Sequence, residues 1–430
     1  MNSEVVDVTR RRWVLASAAV LLLVLGGAAV AQRTVTFADD GLEAAVRDAV
    51  FKRSGTLYDY DVSWLTVLDA SGREIGDLTG MGHCSSLRDV DLRGNAIDDL
   101  SPLTDLDVLQ RVYLDDNEIE DLSPLRSVRE LIVLTLGENA IADIAPLEGL
   151  VFLEQLDLGD AEIEDLEPLR KMTQLEDLRI RCAANTDLSP IQALEALRWL
   201  SVECDGPFDL SVLGRMHRLE SVELIGTDVA DFGPLRWVDT LTSLHLDSMT
   251  VDSLVPIVDA APRLTRFGME DMTLPDLAPL SGLEQLRALG FVRVDLTDLG
   301  IFLAFRDLVE IEVVGCDLGD IGVIATIDEL EVLRIADNDI DDVTAIATLE
   351  RLEELDLAGN PVDEIGPLRI LGQLRRLDLS ATDVSDISIL VDLLDLEHVD
   401  LRDTPLHLGA GSAASAVIDR LRDRGVEVLT

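Results

Sequence analysis

Leucine recurs along this chain with a period of 22 residues. Each step between consecutive row starts is 22 residues, except the step from Leu241 to Leu264, which is 23. Within a row the first, fourth and sixth positions are apolar, which predicts a short strand whose intervening residues face outward. Because one row cannot bury its apolar side alone, we expect the rows to stack and pair in parallel. The sixteen rows begin at Leu65, Leu87, Leu109, Leu131, Leu153, Leu175, Leu197, Leu219, Leu241, Leu264, Leu286, Leu308, Leu330, Leu352, Leu374 and Leu396.

After each predicted strand the row turns through polar residues. In the clearest copy, Asn95 at the ninth position is followed by the segment Asp-Leu-Ser-Pro-Leu at 99–103. The asparagine is expected to bond backbone groups that the turn leaves unpaired. The proline and its polar neighbours predict a short helical turn. Aspartate holds the thirteenth position in thirteen of the fifteen rows from Leu65 to Leu374. We expect each aspartate to cap its own turn; a cation-binding edge, for example for Ca²⁺, is the alternative.

The 22-residue unit and the Asp-Leu-Ser-Pro-Leu segment resemble bacterial leucine-rich-repeat proteins of the internalin type, over about residues 35–430. The resemblance implies an α/β repeat solenoid, a curved horseshoe. A parallel β-sheet would line its concave face, and short turns or 3-10 segments its convex face. It also implies recognition of other proteins through the concave face.

Both ends of the repeat array carry patterns typical of helical caps. A helix starting at Asp39 or Asp40 is predicted within an N-terminal cap of residues 32–64. Residues 65–407 form the repeats, and residues 408–430 the C-terminal cap. The C-terminal cap is predicted to hold a helix from Ala414 to Arg424 and a last strand at 426–428.

The first 31 residues carry the marks of an export signal. Three arginines, at 10–12, precede an uncharged apolar run at 13–31 that ends in Ala29-Val30-Ala31. A signal peptide cleaved before Gln32 and an uncleaved N-terminal membrane anchor both fit this pattern. Either one predicts that the rest of the chain is exported, to be secreted, periplasmic or held at the cell surface.

The formal net charge of -48 limits the kinds of partner. Nucleic-acid backbones and anionic lipid surfaces both require a basic face, so these two classes are disfavoured. A protein partner is the expected ligand.

Four cysteines occupy defined row positions. Cys84 falls at a core position and Cys316 at the ninth, asparagine-type position. Cys182 and Cys204 are the eighth residues of adjacent rows, a position that we assign to the outward face. Adjacent parallel strands lie about 4.8 Å apart, within disulfide reach. A Cys182–Cys204 disulfide is therefore predicted, with two free thiols as the alternative.

The third, fifth, seventh and eighth positions supply the candidate binding residues. Arginine and aromatic side chains are the usual anchors of protein interfaces. The ninth-position asparagine is missing from the rows from Leu153 to Leu308. Either these middle rows are specialised around a ligand, or they have drifted. We place the candidate site in the middle of the concave face, with Arg179, Arg181 and Trp199 as its best patch. The candidates are Tyr113, Arg179, Arg181, Trp199, His245, Arg266 and Arg334.

Nothing in the sequence indicates catalysis. The five histidines fall at different offsets within their rows, and no nucleophile elbow, phosphate loop or zinc-protease motif occurs. We therefore expect no enzyme activity, cofactor or metal. The predicted function is that of an exported scaffold that binds a protein through its concave face. A structural cell-envelope component anchored by the N-terminal helix, and a glycan-recognition module, are the alternatives.

Overall fold

The computed structural model describes residues 33–273, 276–296, 299–409 and 411–430. The apolar run at 13–31 lies outside these residues, so cleavage and anchoring both stay predictions. Within the described ranges, no helix combines the length and apolar character that a membrane crossing requires.

A small cap covers the first row. Strand β1 (Thr34–Val35) pairs antiparallel with β2 (Leu57–Tyr58), and these two strands flank helix α1 (Asp40–Ala49). A short helix, α2 (Asp59–Val62), follows. The α1 helix begins where the sequence predicts, because the Asp39 carboxylate accepts a hydrogen bond from the Leu42 amide at 3.0 Å. Its apolar stripe, which includes Leu42 and Val46, is buried.

The rows form one parallel sheet. Sixteen registers join each strand to the next in chain order. None joins the first strand to the last within the described residues, so the sheet is open rather than a closed barrel. Its seventeen described strands are β3 (Val67–Asp69), β4 (Asp89–Asp91), β5 (Arg111–Tyr113), β6 (Val133–Thr135), β7 (Gln155–Ile163), β8 (Asp177–Cys182), β9 (Trp199–Cys204), β10 (Ser221–Ile225), β11 (Ser243–Asp247), β12 (Arg266–Glu270), β13 (Ala288–Val292), β14 (Glu310–Val314), β15 (Val332–Arg334), β16 (Glu354–Asp356), β17 (Arg376–Asp378), β18 (His398–Asp400) and β19 (Glu427–Leu429).

The opposite face of the solenoid consists of short helical turns, as the Asp-Leu-Ser-Pro-Leu segments predict. The single 23-residue row is the exception, because its extra residue is accommodated by an α-helix, α3 (Val255–Ala260). The 3-10 helices span Met81–His83, Ser101–Leu103, Ser123–Ser127, Ala145–Gly149, Glu167–Lys171, Ser189–Ala193, Leu210–Arg215, Gly233–Trp237, Ala278–Gly282, Leu299–Ala304, Ile324–Thr326, Thr344–Thr348, Gly366–Ile370 and Ser388–Asp392.

The thirteenth-position aspartates cap these turns, which confirms the prediction. In all twelve of them that are described, the carboxylate accepts a hydrogen bond from the amide two residues later, at 2.7–2.9 Å. Asp298 lies outside the described residues. These bonds satisfy amides that the start of each turn leaves free. At Asp187 and Asp209 they hold the pKa of the carboxyl below its ordinary value.

The core is a continuous aliphatic stack along the solenoid. The first residue of every row is buried, from Leu65 to Leu396. Helix α4 (Ala413–Asp423) closes the far end and buries Val417, Ile418 and Leu421. Gly425, at φ 88, adopts the left-handed conformation that ends such a helix. The chain then forms β19, which extends the sheet beside β18.

The cysteine positions match the prediction in part. Cys84 is buried, and burial raises the pKa of its thiol to about 12. Cys316 replaces asparagine, with its sulfur 3.5 Å from the Phe291 carbonyl oxygen and 3.4 Å from that of Val314.

The assignment of the eighth position to the outward face is wrong for Cys182 and Cys204, whose side chains are buried. In their rows the strand continues to the eighth residue, and alternation then turns that residue inward with the fourth and sixth. In thirteen other rows the eighth residue ends the strand in the left-handed region, at φ 49–68. The two cysteines are free thiols in direct register, so the disulfide stays a prediction.

Candidate binding face

The middle of the sheet is wider than its ends. Strands β7 to β14 have five to nine residues, whereas β3 to β6 and β15 to β18 have three each. The wide section coincides with the rows from Leu153 to Leu308, which lack the ninth-position asparagine. The missing asparagine and the wider sheet therefore mark the same rows.

The asparagine itself accounts for the short strands. The Asn338 side-chain amide donates to the Ile335 and Ala336 carbonyls of its own row at 3.0 and 2.8 Å. It thereby folds the chain back at the end of a three-residue strand. Thr382 achieves the same in a row without asparagine, since its hydroxyl donates to the Leu379 carbonyl at 2.6 Å. In the rows from Leu153 to Leu308, which lack the asparagine, the backbone stays extended for longer and a broader strand face results.

A pocket of about 360 Å³ lies on this wide section, and residues from β9 to β14 line it. Its floor lies over Gly268 and Gly290, the fifth residues of adjacent rows. Every other row carries a side chain at this outward position. Two consecutive glycines thus leave a depression in an otherwise covered face.

The contact between Gly268 and His245 also requires glycine at position 268. A Cβ atom at this position would collide with the imidazole ring of His245 on the neighbouring strand. The ring therefore rests on the Gly268 backbone. Gly290 has no such contact, because a Cβ there would lie 3.6 Å from the nearest atom, a Glu312 carboxylate oxygen. Its backbone is also free of positive φ, so a side chain at 290 would fill the pocket without strain.

Three of the seven candidate residues meet in this pocket: Trp199, His245 and Arg266. Arg179 and Arg181 lie on β8, next to the strand that carries Trp199. Tyr113 on β5 and Arg334 on β15 lie outside the pocket. Tyr113 packs under the Arg93 guanidinium, whose carbon is 5.5 Å from the ring centroid.

Most of the candidate arginines are already paired with carboxylates of this chain. Arg181 lies 3.3 Å from Glu203 and 3.4 Å from Asp205. Arg266 and Arg334 both bind Glu310, at 2.7 and 2.8 Å. These pairs neutralise the arginines, so they are not free positive anchors for a ligand.

Glu310 lies at the centre of this ion-pair network. Burial works to raise its pKa, but Arg266 and Arg334 outweigh burial and hold the pKa below its ordinary value. The carboxylate is therefore ionised and committed to the two guanidinium groups. Arg266 reaches it across the intervening strand, where Ala288 is too small to obstruct the contact.

Polar atoms without a hydrogen bond are concentrated in the same region. Among the described residues, four buried side-chain atoms lack one, and all four belong to rows from Leu175 to Leu241. Two of them retain a nearby carboxylate: Arg181 Nε is 3.3 Å from Glu203, and His245 Nε2 is 3.4 Å from Glu270. The other two are the Ser201 and Thr227 hydroxyls. Buried polar groups normally have partners, so their clustering here calls for an explanation.

Sequence reasoning located the middle rows but missed the pocket. The missing signal was the pair of glycines at the fifth position of consecutive rows, which is visible once the rows are aligned. The ion pairs that neutralise the arginines were also missed, because they join different rows.

Stacked 22-residue rows, a parallel sheet on one face and capped 3-10 turns on the other define a leucine-rich-repeat solenoid. In agreement, the sequence profile described as "Leucine Rich repeat" matches residues 83–100. No protein of curated function matches the chain in sequence.

Solved structures with a similar fold include two internalins of Listeria monocytogenes. The internalin InlF is 24% identical, with 84% of this chain and 95% of that chain covered and a TM-score of 0.46. The functional domain of InlJ, described as including a cysteine ladder, is 19% identical, with 86% and 82% covered and a TM-score of 0.50. The TLR13–ssRNA13 complex is 17% identical, with 80% and 70% covered and a TM-score of 0.51. The fold is therefore that of the leucine-rich-repeat proteins, and the repeat is internalin-like.

Proposed function

We propose that this protein is an exported, non-catalytic scaffold that binds a protein partner through the middle of its concave face. Leucine-rich-repeat folds typically serve in protein recognition, and stacked repeats provide extended surfaces for it. The observation that carries the proposal is the widened section from β7 to β14, with its pocket and its unsatisfied polar atoms.

The charge of the chain favours a protein over a nucleic acid as the partner. TLR13 is similar in fold and its structure is a complex with single-stranded RNA. A net charge of -48 opposes an RNA ligand here, because phosphate binding depends on basic side chains. The same charge favours a basic protein surface and would speed its encounter with this face.

Site-specific photo-crosslinking in the cells that make the protein tests the location. A benzoyl-phenylalanine at position 199 would probe the widened face, and one at position 370 would probe the opposite side. Ile370 is a matched control because it is exposed and belongs to a 3-10 turn. We expect a discrete crosslinked protein from position 199 alone. Equal products from both positions, or none from position 199, would contradict the proposal.

Export rests on residues 1–31 and needs its own measurement. N-terminal sequencing of the protein purified from its native cells distinguishes the two forms. A start at Gln32 indicates a cleaved signal and a released scaffold. A start at Met1 in a membrane fraction indicates an anchored one. A full-length protein in the cytoplasmic fraction would contradict export.

A further inference from the structure

We propose that the pocket over Gly268 and Gly290 takes a guanidinium group, that of an arginine side chain on the protein partner. This rests on the proposed function and specifies its chemistry: the partner is recognised through a cation rather than through an anion or an apolar side chain. Three observations carry the inference, namely the charge, an aromatic wall and the size of the cavity.

The charge of the lining is negative. Four glutamates line the pocket, at positions 220, 223, 310 and 312, against one arginine, Arg266, and one histidine, His245. Arg198 pairs with Glu220 at 2.9 Å, and Glu310 is held by Arg266 and Arg334. The Glu223 carboxylate has no hydrogen bond or ion pair to any described residue. A carboxylate on the wall of a partly enclosed cavity is a strong acceptor for an incoming cation.

The aromatic wall fits a planar cation. Trp199 lines the pocket from β9 and is only half-buried, so part of its indole is open to a ligand. Tryptophan is the best aromatic partner for a cation, and a guanidinium stacks flat on such a ring while its edge donates hydrogen bonds. Trp199 and Glu223 belong to adjacent paired strands. One guanidinium could therefore stack on the indole and donate to the carboxylate.

The dimensions suit a side chain rather than a protein surface loop. The volume of about 360 Å³ is at the lower end of the range for small-ligand pockets. The depth exists because Gly268 and Gly290 place no side chain over the sheet. A single long side chain can enter such a depression, while the rest of the partner contacts the surrounding strands.

A pair of small probes tests the inference on the full chain. N-acetyl-argininamide carries the guanidinium, and N-acetyl-citrullinamide has the same shape without the charge. Binding is followed by the indole N–H resonance of Trp199, assigned by its loss in Trp199→Phe. We expect a saturable shift with the arginine probe and none with citrulline. Glu223→Gln should weaken binding about tenfold, the effect of losing one charge-assisted hydrogen bond. Gly290→Leu should abolish binding by filling the floor.

The matched control is Glu331→Gln, an exposed glutamate outside the pocket, which should leave the affinity unchanged. Equal binding of the two probes, or unchanged affinity in Glu223→Gln, would overturn the guanidinium assignment. If the guanidinium assignment failed in this way but crosslinking from position 199 still captured a protein, the proposed function would stand without that assignment. If the arginine probe bound as expected but no protein crosslinked, the guanidinium pocket would be supported and the protein-scaffold proposal would fall.

Discussion

Replacing Asn338 with alanine should weaken the junction between two rows at the edge of the widened section. The Asn338 side chain makes five hydrogen bonds to backbone groups. Its amide donates to three carbonyls, at 2.7, 3.0 and 2.8 Å. Its oxygen accepts from the Cys316 and Leu318 amides of the preceding row, at 3.0 and 3.1 Å. The side chain is almost fully buried, so water cannot replace these partners without rearrangement.

The magnitude follows from the groups left without partners. Alanine would leave the two amides of the preceding row without an acceptor, and each buried orphan costs about 1–3 kcal/mol. We therefore expect the free energy of unfolding to fall by about 2–6 kcal/mol. Asn338→Thr should lose less, because the threonine at the equivalent position, Thr382, keeps one carbonyl contact at 2.6 Å.

Equilibrium unfolding in urea measures the loss of stability, and hydrogen exchange shows which amides lose protection. Faster exchange should be confined to the Cys316 and Leu318 amides and their neighbours. Asn185→Ala is the control, since Asn185 is exposed, and it should change stability by less than about 0.5 kcal/mol. If Asn338→Ala were no more destabilising than Asn185→Ala, the hydrogen-bonded junction would not be what holds these rows together.

Three further predictions concern the sheet and its caps. Thiol titration of the protein purified under oxidising conditions and then denatured should give two free thiols, because Cys182 and Cys204 are in direct register and are predicted to form a disulfide. A count of four free thiols would refute this disulfide. Asp356→Asn should raise stability by about 1–2 kcal/mol at pH 7.5. Burial raises the pKa of Asp356 to about 6, so the wild-type loses stability as pH rises from 3.8 through 6. A thermal unfolding difference that persisted at pH 3.5 would contradict this cause. Gly80→Ala should lower the free energy of unfolding by about 1–3 kcal/mol, because Gly80 has φ 108 and lies against the backbone of the N-terminal cap. Gly149→Ala is the control and should be close to neutral in the same urea titration.

The repeat period determined most of the architecture in advance. Leucine at 22-residue intervals predicts stacked parallel strands, and Asp39 marks the start of the cap helix through ordinary capping chemistry. These features depend on local patterns, so sequence alone was sufficient. The eighth position was assigned wrongly in the rows of Cys182 and Cys204, because its direction depends on where each strand ends. In the rows with asparagine, that end is fixed by the ninth residue, through bonds such as those of Asn338.

The candidate site was only partly predictable for a different reason. Trp199, His245 and Arg266 were chosen for chemistry and position, and they meet in one pocket. The state of the arginines depends on partners from other rows: the contact between Arg266 and Glu310 spans 44 residues and skips a strand. The pocket exists because two rows have no side chain at the fifth position. The two glycines carry no charged or aromatic group, so the sequence pattern did not indicate a pocket there.

The claim that the partner sits in the widened middle of the concave face is tested most directly by blocking it. The yield of the crosslinked product from position 199 would be compared in Gly290→Leu and Ala358→Leu. Both changes introduce a leucine side chain, but Ala358 lies in the turn that follows the three-residue strand of an outer row. We predict that Gly290→Leu removes the product and that Ala358→Leu leaves its yield unchanged. An undiminished yield in Gly290→Leu would contradict the location of the site.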